Sequence, residues 1–355
     1  MMCQSMGRPP ISTIGLGRNS VSSRRRVPMP PARITAFTVS PLCKSGLKSI
    51  GSMRLSLQNK YSCLVVTILN HVHTRKKGGV LQVSQSKAPF SDAAELALAA
   101  RHEIISMTSV AKASHVASAL SVVDVLSLLY AGTANISVSN MDEPDRDIVI
   151  LSKGHSASAL YSVLALQGFF PKEWLAQYCN NDAPLGGHVT SKGVPGVELS
   201  TGSLGHGLPY GLGIAMSRKK HGAKGRVFVV MSDGECDEGT TWESAMIANH
   251  HNLDNLVVIV DRNKIQSLTF TEDTLKLEPF ADKWIAFGWQ TETLDGHDYS
   301  ILAKSLASQS GPKCIIADTT KGKGVDFMEN SVLWHYKSPS SDDVTKAFEQ
   351  LSENY

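Results

Sequence analysis

The chain of 355 residues carries 35 basic and 32 acidic residues, and their distribution along the sequence is uneven. Residues 1–91 contain fourteen Lys or Arg and no Asp or Glu, so the remaining residues carry 21 basic and 32 acidic side chains and a net charge of −11. An acidic folded part gives no support for nucleic-acid binding, and about 260 residues suffice to bury the core of one domain.

The leader over residues 1–91 is rich in Ser, Arg and Pro, a composition typical of organelle transit peptides. A disordered basic tail or an over-extended translation start fits the same composition. Its apolar run over 63–69 is shorter than the roughly 20 residues that a bilayer requires, so no membrane association is predicted. The six cysteines form no CxxC pair, which is typical of a reducing compartment. We therefore expect a cytoplasmic protein, or a plastid or mitochondrial one if the leader is a transit peptide.

The predicted elements begin directly after the leader. Asp92 and Glu95 form a D-x-x-E capping pattern before a helix predicted over 93–111. Ser121 and Asp124 are predicted to open a second helix, whose apolar residues fall on one face. Further predicted elements are a strand over 148–151, a helix over 157–167, and strands over 226–231, 256–260, 290–294 and 314–318.

Strands that alternate with helices predict an α/β fold, a doubly wound and mostly parallel sheet with helices on both faces. The predicted folded domain covers residues 92–355. Its stretch over 180–206 has many Gly, Pro and Ser residues and little periodicity. Long segments of this kind inside compact domains usually carry function.

Polar residues follow two of the predicted strands. Asp233 comes after the strand over 226–231, and Asn263 comes after the strand over 256–260. Ligands of parallel sheets bind outside the carboxyl ends of the strands, so both side chains can face one point. Their hard oxygen donors suit Mg²⁺ or Ca²⁺, and Gly234 lets the backbone approach a ligand closely. The pattern predicts a divalent cation that holds a phosphorylated ligand, although an Asp after a strand also commonly caps a helix.

Segment 232–266, SDGECDEGTTWESAMIANHHNLDNLVVIVDRNKIQ, resembles the thiamine-diphosphate motif of the transketolase family, Gly-Asp-Gly followed further along by Asn. Ser232 stands where the family has its first Gly. Other segments resemble the family in the same order: LSKGHSASALY at 151–161, GGHVTSKGVPGVELSTGSLGHGLPYGLGIA at 186–215 and KGKGVDFMENSVLWHYKSP at 321–339. The resemblance covers residues 92–350 and is strongest to a stand-alone amino-terminal subunit, which carries the diphosphate-binding half of an enzyme split over two chains.

The resemblance implies that thiamine diphosphate and a metal ion bind to this chain. The implied metal is Mg²⁺, with Ca²⁺ or Mn²⁺ as alternatives. Its implied ligands are Asp233, the side chain of Asn263 and the main-chain carbonyl of Ile265. The implied cofactor contacts are Gly202, Leu204, Gly234, Asn263 and His335.

The resemblance also implies catalytic residues. They are His115, His155, His188, Glu238 and Glu243. An imidazole that titrates near neutrality suits proton transfer to sugar hydroxyls. The two glutamates match family residues between the two cofactor sites of a dimer, although Glu243 would equally well complement a helix dipole. His115 lies in HVASA, where the family usually has His-Pro-Gly-Gly.

The implied reaction is transfer of a two-carbon ketol unit from a ketose phosphate to an aldose phosphate. No second domain of comparable size follows, so we expect an α2β2 assembly with a pyrimidine-binding C-terminal partner subunit. Two other thiamine-diphosphate enzymes remain alternatives, namely 2-oxo-acid dehydrogenase E1 and deoxyxylulose-phosphate synthase. A non-catalytic paralogue is a third alternative, which the altered HVASA loop favours. A nicotinamide-dependent dehydrogenase is disfavoured, because no G-x-G-x-x-G lies between a strand and a helix.

Overall fold

The computed structural model describes residues 90–354, so almost all of the predicted leader lies outside the described residues. A five-stranded parallel sheet forms the centre of this part, with the order β1-β2-β3-β5-β4. The strands are β1 (Ile148–Leu151), β2 (Val227–Ser232), β3 (Leu256–Arg262), β4 (Gln290–Asp295) and β5 (Lys313–Asp318). Every strand lies where the sequence predicts one, within two residues at each end.

Helices connect and flank these strands. They are α1 (Ala93–Val110), α2 (Val116–Leu128), α3 (Ala157–Leu166), α4 (Gly207–His221), α5 (Gly239–His250), α6 (Thr271–Thr274), α7 (Phe280–Ala286), α8 (Tyr299–Leu306) and α9 (Ser341–Asn354). The predicted capping of α1 is confirmed, since Asp92 Oδ1 accepts hydrogen bonds from the backbone of Ala94 and Glu95 at 2.8 and 3.0 Å.

Alternate strand residues face two separate apolar cores. Phe228 and Val230 of β2 pack in the core that includes α1, α2 and α3. Val227 and Val229 point to the opposite face and pack with α4, α5 and α7. Successive side chains of a strand point to opposite faces, and a parallel sheet is normally covered on both. The predicted doubly wound architecture is therefore confirmed.

The predicted start of the second helix is wrong. Helix α2 begins at Val116, directly after His115, whose φ of 71° lies in the left-handed region. Ser121 and Asp124 lie inside the helix and are buried. Their side chains bond to other elements, as in the 2.7 Å hydrogen bond from Ser121 Oγ to Asp261 Oδ2. Polar residues that look like a helix cap in sequence instead make tertiary contacts here.

The segment Val116–Thr133, which extends α2, has the length and hydropathy of a membrane span. However, 83% of this segment is buried inside the fold. It is therefore explained as a core helix, packed between α1 and α3.

The two edges of the sheet differ. Strand β1 is buried along its whole length, whereas every residue of β4 is exposed or half-buried. Segment 180–206 contains no helix or strand, as predicted. It is fixed to the end of β1 by hydrogen bonds from Val189 N to Gly154 O at 3.1 Å and from Thr201 Oγ1 to Leu151 O at 2.7 Å. The segment thus forms part of the rim at the carboxyl ends of the strands.

Candidate active site

A cavity of about 340 Å³ opens at the carboxyl ends of β1, β2 and β3. The sequence-predicted site residues that line it are His115, His155, His188, Gly202, Leu204, Asp233, Gly234, Asn263, Ile265 and His335. The structure therefore brings together residues that lie more than 200 positions apart in the sequence. Glu238 and Glu243 are the predicted site residues that do not line it.

One side of the cavity, the strand-end wall, consists of Asp233, Asn263 and Ile265. Strands β2 and β3 are direct neighbours, with Ser232 opposite Asp261 in the register. The residues that follow these strands consequently leave the sheet side by side, as the sequence predicts. The side chains of Asp233 and Asn263 are almost fully buried.

The carboxylate of Asp233 is held in one orientation by its neighbours. Oδ1 accepts from Gly234 N at 2.8 Å, and Oδ2 accepts from Lys264 N at 2.8 Å and from Arg262 Nη1 at 3.1 Å. Burial raises the pKa of Asp233, and the Arg262 guanidinium opposes that shift. The guanidinium also forms ion pairs with Glu272 and Glu278 at 2.9 and 3.0 Å.

The other two oxygens of this wall are an amide and a carbonyl. Asn263 Nδ2 donates to Asp261 Oδ2 at 3.2 Å, which leaves Oδ1 as the acceptor of Ile265 N at 3.2 Å. The Ile265 carbonyl accepts from the ammonium of Lys321 at 2.9 Å. A carboxylate, an amide and a peptide carbonyl form a donor set that fits Mg²⁺. No cluster of three His, Cys, Asp or Glu suited to a metal occurs within residues 90–354, so a metal here would depend on these mixed oxygens.

A buried ion pair lies next to the strand-end wall. The ammonium of Lys153, just after β1, contacts Asp261 at the end of β3, and neither side chain is exposed. Burial alone would raise the pKa of Asp261, but Lys153 and hydrogen bonds from Thr319 and Ser121 hold it below its ordinary value. The pair joins the ends of β1 and β3. Sequence reasoning missed Lys153, although its place in LSKGH between a strand and a Gly-His pair was a signal.

Glu235 was also missed by sequence reasoning, and it anchors the rim. Its fully buried carboxylate accepts from Ser152 Oγ, from Gly205 N at 2.8 Å and from Ser232 N at 3.3 Å. Burial raises the pKa of Glu235, and these hydrogen bonds oppose the shift. One carboxylate therefore connects the ends of β1 and β2 with segment 180–206. Its sequence signal was an acidic residue two positions after Asp233.

A second part of the cavity lining, the histidine wall, consists of His115, His155, His188 and His335. The ring centroids of the other three lie 5.2, 5.9 and 4.9 Å from that of His115. His115 N also donates to His335 O at 2.9 Å, which fixes the loop before α2. The sequence-predicted histidines form one cluster, although they come from different loops.

The environment of this wall keeps the rings of His115, His155 and His335 neutral. Burial, followed by the charges of His188 and Lys321, lowers the pKa of His115 to about 4. Burial and the nearby Lys321 lower the pKa of His335 to about 3, and burial lowers that of His155 well below its ordinary value. Burial and Lys153 lower the pKa of Lys321 to about 7. At neutral pH the imidazoles of His115, His155 and His335 are therefore uncharged, and they lie beside an amine that titrates near neutrality.

Two buried polar atoms of this region have no hydrogen-bond partner within the described residues. They are His115 Nδ1 and Ser118 Oγ, and both residues line the cavity. An unsatisfied buried polar atom costs free energy that a polar ligand recovers. The arrangement consequently favours a ligand with hydrogen-bonding groups.

Glycines keep the backbone close to its neighbours at two predicted positions. A Cβ at Gly234 would lie 2.9 Å from the side chain of Gln266, and one at Gly202 would lie 3.3 Å from His188 Cδ2. A side chain at either position would therefore move a residue that lines the cavity.

Glu238 and Glu243 lie at the start of α5 and are exposed. Neither lines the cavity of the single chain. Their predicted place between two cofactor sites stays a prediction.

The family model described as "Transketolase, thiamine diphosphate binding domain" matches residues 94–354. The chain belongs to the transketolase family. It corresponds to the N-terminal, thiamine-diphosphate-binding part of these enzymes. The predicted family and the predicted fold class are thus confirmed.

Relatives and solved structures agree with this assignment. The chain is 40% identical over 268 residues to an apulose-4-phosphate transketolase subunit of Actinobacillus succinogenes, covering 74% of this chain and 97% of the relative. It is 37% identical over 225 residues to 6-deoxy-6-sulfo-D-fructose transketolase subunit SqwG of a Clostridium species, covering 62% and 82%. The crystal structure of transketolase from Campylobacter jejuni superposes with a TM-score of 0.68 at 26% identity and covers 75% of this chain and 43% of that one.

Proposed function

We propose that this chain is the cofactor-binding subunit of a transketolase that moves a two-carbon ketol unit from a ketose phosphate to an aldose phosphate. The observation that carries the proposal is one cavity that is lined by three hard oxygen donors and by four histidines. The oxygens suit a metal and a diphosphate, and the imidazoles suit sugar hydroxyls. Membership of the transketolase family supports the same reaction class.

The strand-end wall would hold the metal. Asp233 supplies a carboxylate, Asn263 supplies Oδ1, and Ile265 supplies its carbonyl to Mg²⁺, with Ca²⁺ or Mn²⁺ as alternatives. Lys321, whose ammonium lies 2.9 Å from that carbonyl, offers a second positive charge to a diphosphate. Thiamine diphosphate, when bound, supplies the stabilised carbanion that the ketol transfer requires. Gly202, Leu204, Gly234 and His335 contribute the other predicted cofactor contacts.

The histidine wall would handle the sugar. Neutral His115 and His155 can accept a proton from a substrate hydroxyl and return it to the product. His188, which is exposed at the same wall, would meet an entering substrate first. The unpartnered Nδ1 of His115 is a candidate for the first contact with a hydroxyl.

A second polypeptide is part of the proposal. Relatives that match over most of their length are named as transketolase subunits, which implies a companion chain for them. For this chain we propose an α2β2 assembly with a pyrimidine-binding C-terminal subunit. Exposed Glu238 and Glu243 would lie at the interface between its cofactor sites.

Calorimetry of the isolated chain tests the cofactor half of the proposal. Thiamine diphosphate should bind in the presence of Mg²⁺ and bind far more weakly when EDTA removes the metal, because Lys321 alone offsets only part of the charge of the diphosphate. Titration of thiamine, which lacks the diphosphate, is the matched control. Failure to bind with Mg²⁺ present, both in the isolated chain and beside a C-terminal transketolase subunit, would contradict the proposed function and favour a non-catalytic paralogue.

Turnover assays test the partner requirement. The isolated chain with thiamine diphosphate, Mg²⁺ and a ketose phosphate should be inactive, and adding a C-terminal transketolase subunit should restore transfer to an aldose phosphate. Robust turnover by the isolated chain would overturn the partner requirement. Activity of the assembled enzyme with a 2-oxo acid donor, in place of a ketose phosphate, would favour the alternative thiamine-diphosphate enzymes.

A further inference from the structure

A network of buried side chains lies behind one part of the cavity. We define the Lys321 loop as residues 319–324, which follow β5. On the side of the loop that faces the cavity, Lys321 Nζ lies 2.9 Å from the carbonyl of Ile265 and 2.8 Å from His335 Nδ1. The position of this ammonium relative to the cavity therefore depends on what holds the loop backbone.

Several hydrogen bonds hold the backbone of the loop. Asn330 N donates to the carbonyl of Lys321 at 2.9 Å, and further bonds come from the turn after β4 and from helices α2 and α1. Thr320 N donates to His297 Nε2 at 2.9 Å. Gly322 N donates to the carbonyl of Ala117 at 3.0 Å, and Arg101 Nε donates to the carbonyl of Lys323 at 3.3 Å. Thr320, the residue that His297 contacts, directly precedes Lys321 in the chain.

The hydrogen bonds of His297 define its tautomer. A backbone N–H can only donate, so Nε2 must be the acceptor and the ring proton must lie on Nδ1. That proton is donated to Asp124 Oδ2, at an Nδ1 to Oδ2 distance of 2.6 Å. A carboxylate that fixes the tautomer of a histidine is a common way of orienting its other nitrogen.

Asp124 is itself fixed. Its buried carboxylate accepts from Arg101 Nη1 and Nη2 at 2.9 and 2.6 Å, and from Tyr299 OH at 2.5 Å. Burial would raise the pKa of Asp124, but the paired Arg101 and the bonded His297 hold it well below its usual range. The carboxylate stays ionised and remains an acceptor for the His297 proton.

The turn after β4, which contains Gly296 and His297, packs closely against the Lys321 loop. A Cβ at Gly296 would lie 2.4 Å from Thr319 Cγ2, so only glycine fits at this position. Gly296 N also donates to Asp318 O at 2.8 Å. The ring of His297 is consequently presented to the loop from a rigid turn.

We propose that His297, oriented by Asp124, is a positioning residue that holds the Lys321 loop so that its ammonium faces the diphosphate of the cofactor. The proposal rests on the proposed function for the identity of that anion. The chain of contacts runs from Asp124 through the His297 ring to Thr320 N, and from there to the neighbouring Lys321. It connects helix α2 and the turn after β4 to the cofactor cavity.

Two substitutions at His297 separate its two hydrogen bonds. In His297→Asn the shorter amide can keep the contact with Asp124 but does not reach Thr320 N. In His297→Gln the longer amide can present an oxygen to Thr320 N and restore the acceptor. Tyr299→Phe is the matched control, since it removes a different hydrogen bond to the same Asp124 carboxylate.

The first measurement is hydrogen exchange of the loop amides in the ligand-free chain. We expect the Thr320 amide to exchange about tenfold faster in His297→Asn, and to keep nearly wild-type protection in His297→Gln and Tyr299→Phe. Unchanged exchange at Thr320 in the Asn variant would overturn the positioning role. This readout needs no cofactor, so it decides the loop contact even if the wild-type chain fails to bind thiamine diphosphate, a result that would contradict the proposed function instead.

The second measurement is the dissociation constant of thiamine diphosphate with Mg²⁺. Loss of a residue that orients a binding group typically weakens binding at least about tenfold. We expect this weakening in His297→Asn and an affinity within about threefold of wild type in His297→Gln. Equal weakening in the Gln and Phe variants would indicate a general loss of packing around Asp124 and would overturn the proposal.

Discussion

The two walls of the cavity differ in how far the chain satisfies its own polar groups. In the strand-end wall, Asp233, Asn263 and Ile265 each have hydrogen-bond partners within the chain. In and beside the histidine wall, His115 Nδ1 and Ser118 Oγ are buried without one among the described residues. The comparison indicates that the strand-end wall is organised before a ligand arrives, whereas the histidine wall is completed by a ligand. Three predictions test this difference.

The largest expected effect is at the strand-end wall. Asp233→Ala should weaken Mg²⁺-dependent binding of thiamine diphosphate by more than about 100-fold, because the site loses its only carboxylate among the proposed metal ligands. The chain should still fold, since Arg262 keeps its ion pairs with Glu272 and Glu278. Calorimetry and thermal unfolding check both statements. The exposed Glu349 of α9 gives a matched control, and Glu349→Ala should leave affinity unchanged; equal affinity in the Asp233 variant would refute the metal assignment.

The pH dependence of folding should distinguish the histidine wall from the Lys153–Asp261 ion pair that lies next to the strand-end wall. The folded-state pKa of His115 lies at about 4, below its ordinary value of 6.5, so unfolding takes up protons between these values. The free energy of unfolding should therefore fall as the pH decreases from 6.5 towards 4. The pKa of Asp261 lies below its ordinary 3.8, so its contribution is lost only at lower pH.

Urea unfolding of the ligand-free chain at several pH values between about 4 and 7 measures this dependence. His115→Gln should flatten the curve, because about one proton fewer is taken up on unfolding. The exposed His250 of α5 provides the control, and His250→Gln should leave the slope unaltered. A curve of the His115 variant that coincides with that of the wild type would contradict the buried, neutral state of the ring.

The smallest expected effect is at Ser118. Ser118→Ala removes a buried hydroxyl that lacks a partner among the described residues, so the ligand-free chain should be unchanged or more stable by up to about 1 kcal/mol. Cofactor affinity should fall by a factor of about three to ten, because Ser118 lines the cavity and its hydroxyl has no other partner among the described residues. Ser127→Ala is the matched control, since Ser127 Oγ in α2 is buried in the same unpartnered state but does not line the cavity. If both variants lower affinity equally, the hydroxyl of Ser118 does not meet the ligand.

Much of the strand-end wall was predictable from the sequence, because strand ends in a parallel sheet have a simple geometry. Apolar runs such as those over 226–231 and 256–260 predict buried strands. The polar residues that follow these strands must then lie together at the carboxyl ends of the sheet. The supporting contacts were harder to foresee. Lys153 and Asp261 lie 108 positions apart, and no local pattern states that a lysine after one strand will pair with an aspartate of another.

The start of α2 shows why local patterns fail in a crowded core. Ser121 and Asp124 have the composition of a helix cap, yet both lie inside the helix. Burial makes their hydrogen bonds to other elements more favourable than capping. The left-handed His115 could not be foreseen either, since the usual sequence signal for that conformation is glycine. The exposure of Glu238 and Glu243 likewise cannot be related to an interface from one chain alone.

The polar outer strand of the sheet has a consequence for aggregation of the protein. Strand β4 forms one edge, and Gln290, Glu292 and Asp295 on it are exposed. Charged side chains on an outermost strand discourage the addition of a foreign strand to its free backbone groups. Aggregation by growth of a continuous intermolecular sheet is consequently disfavoured along this side of the molecule.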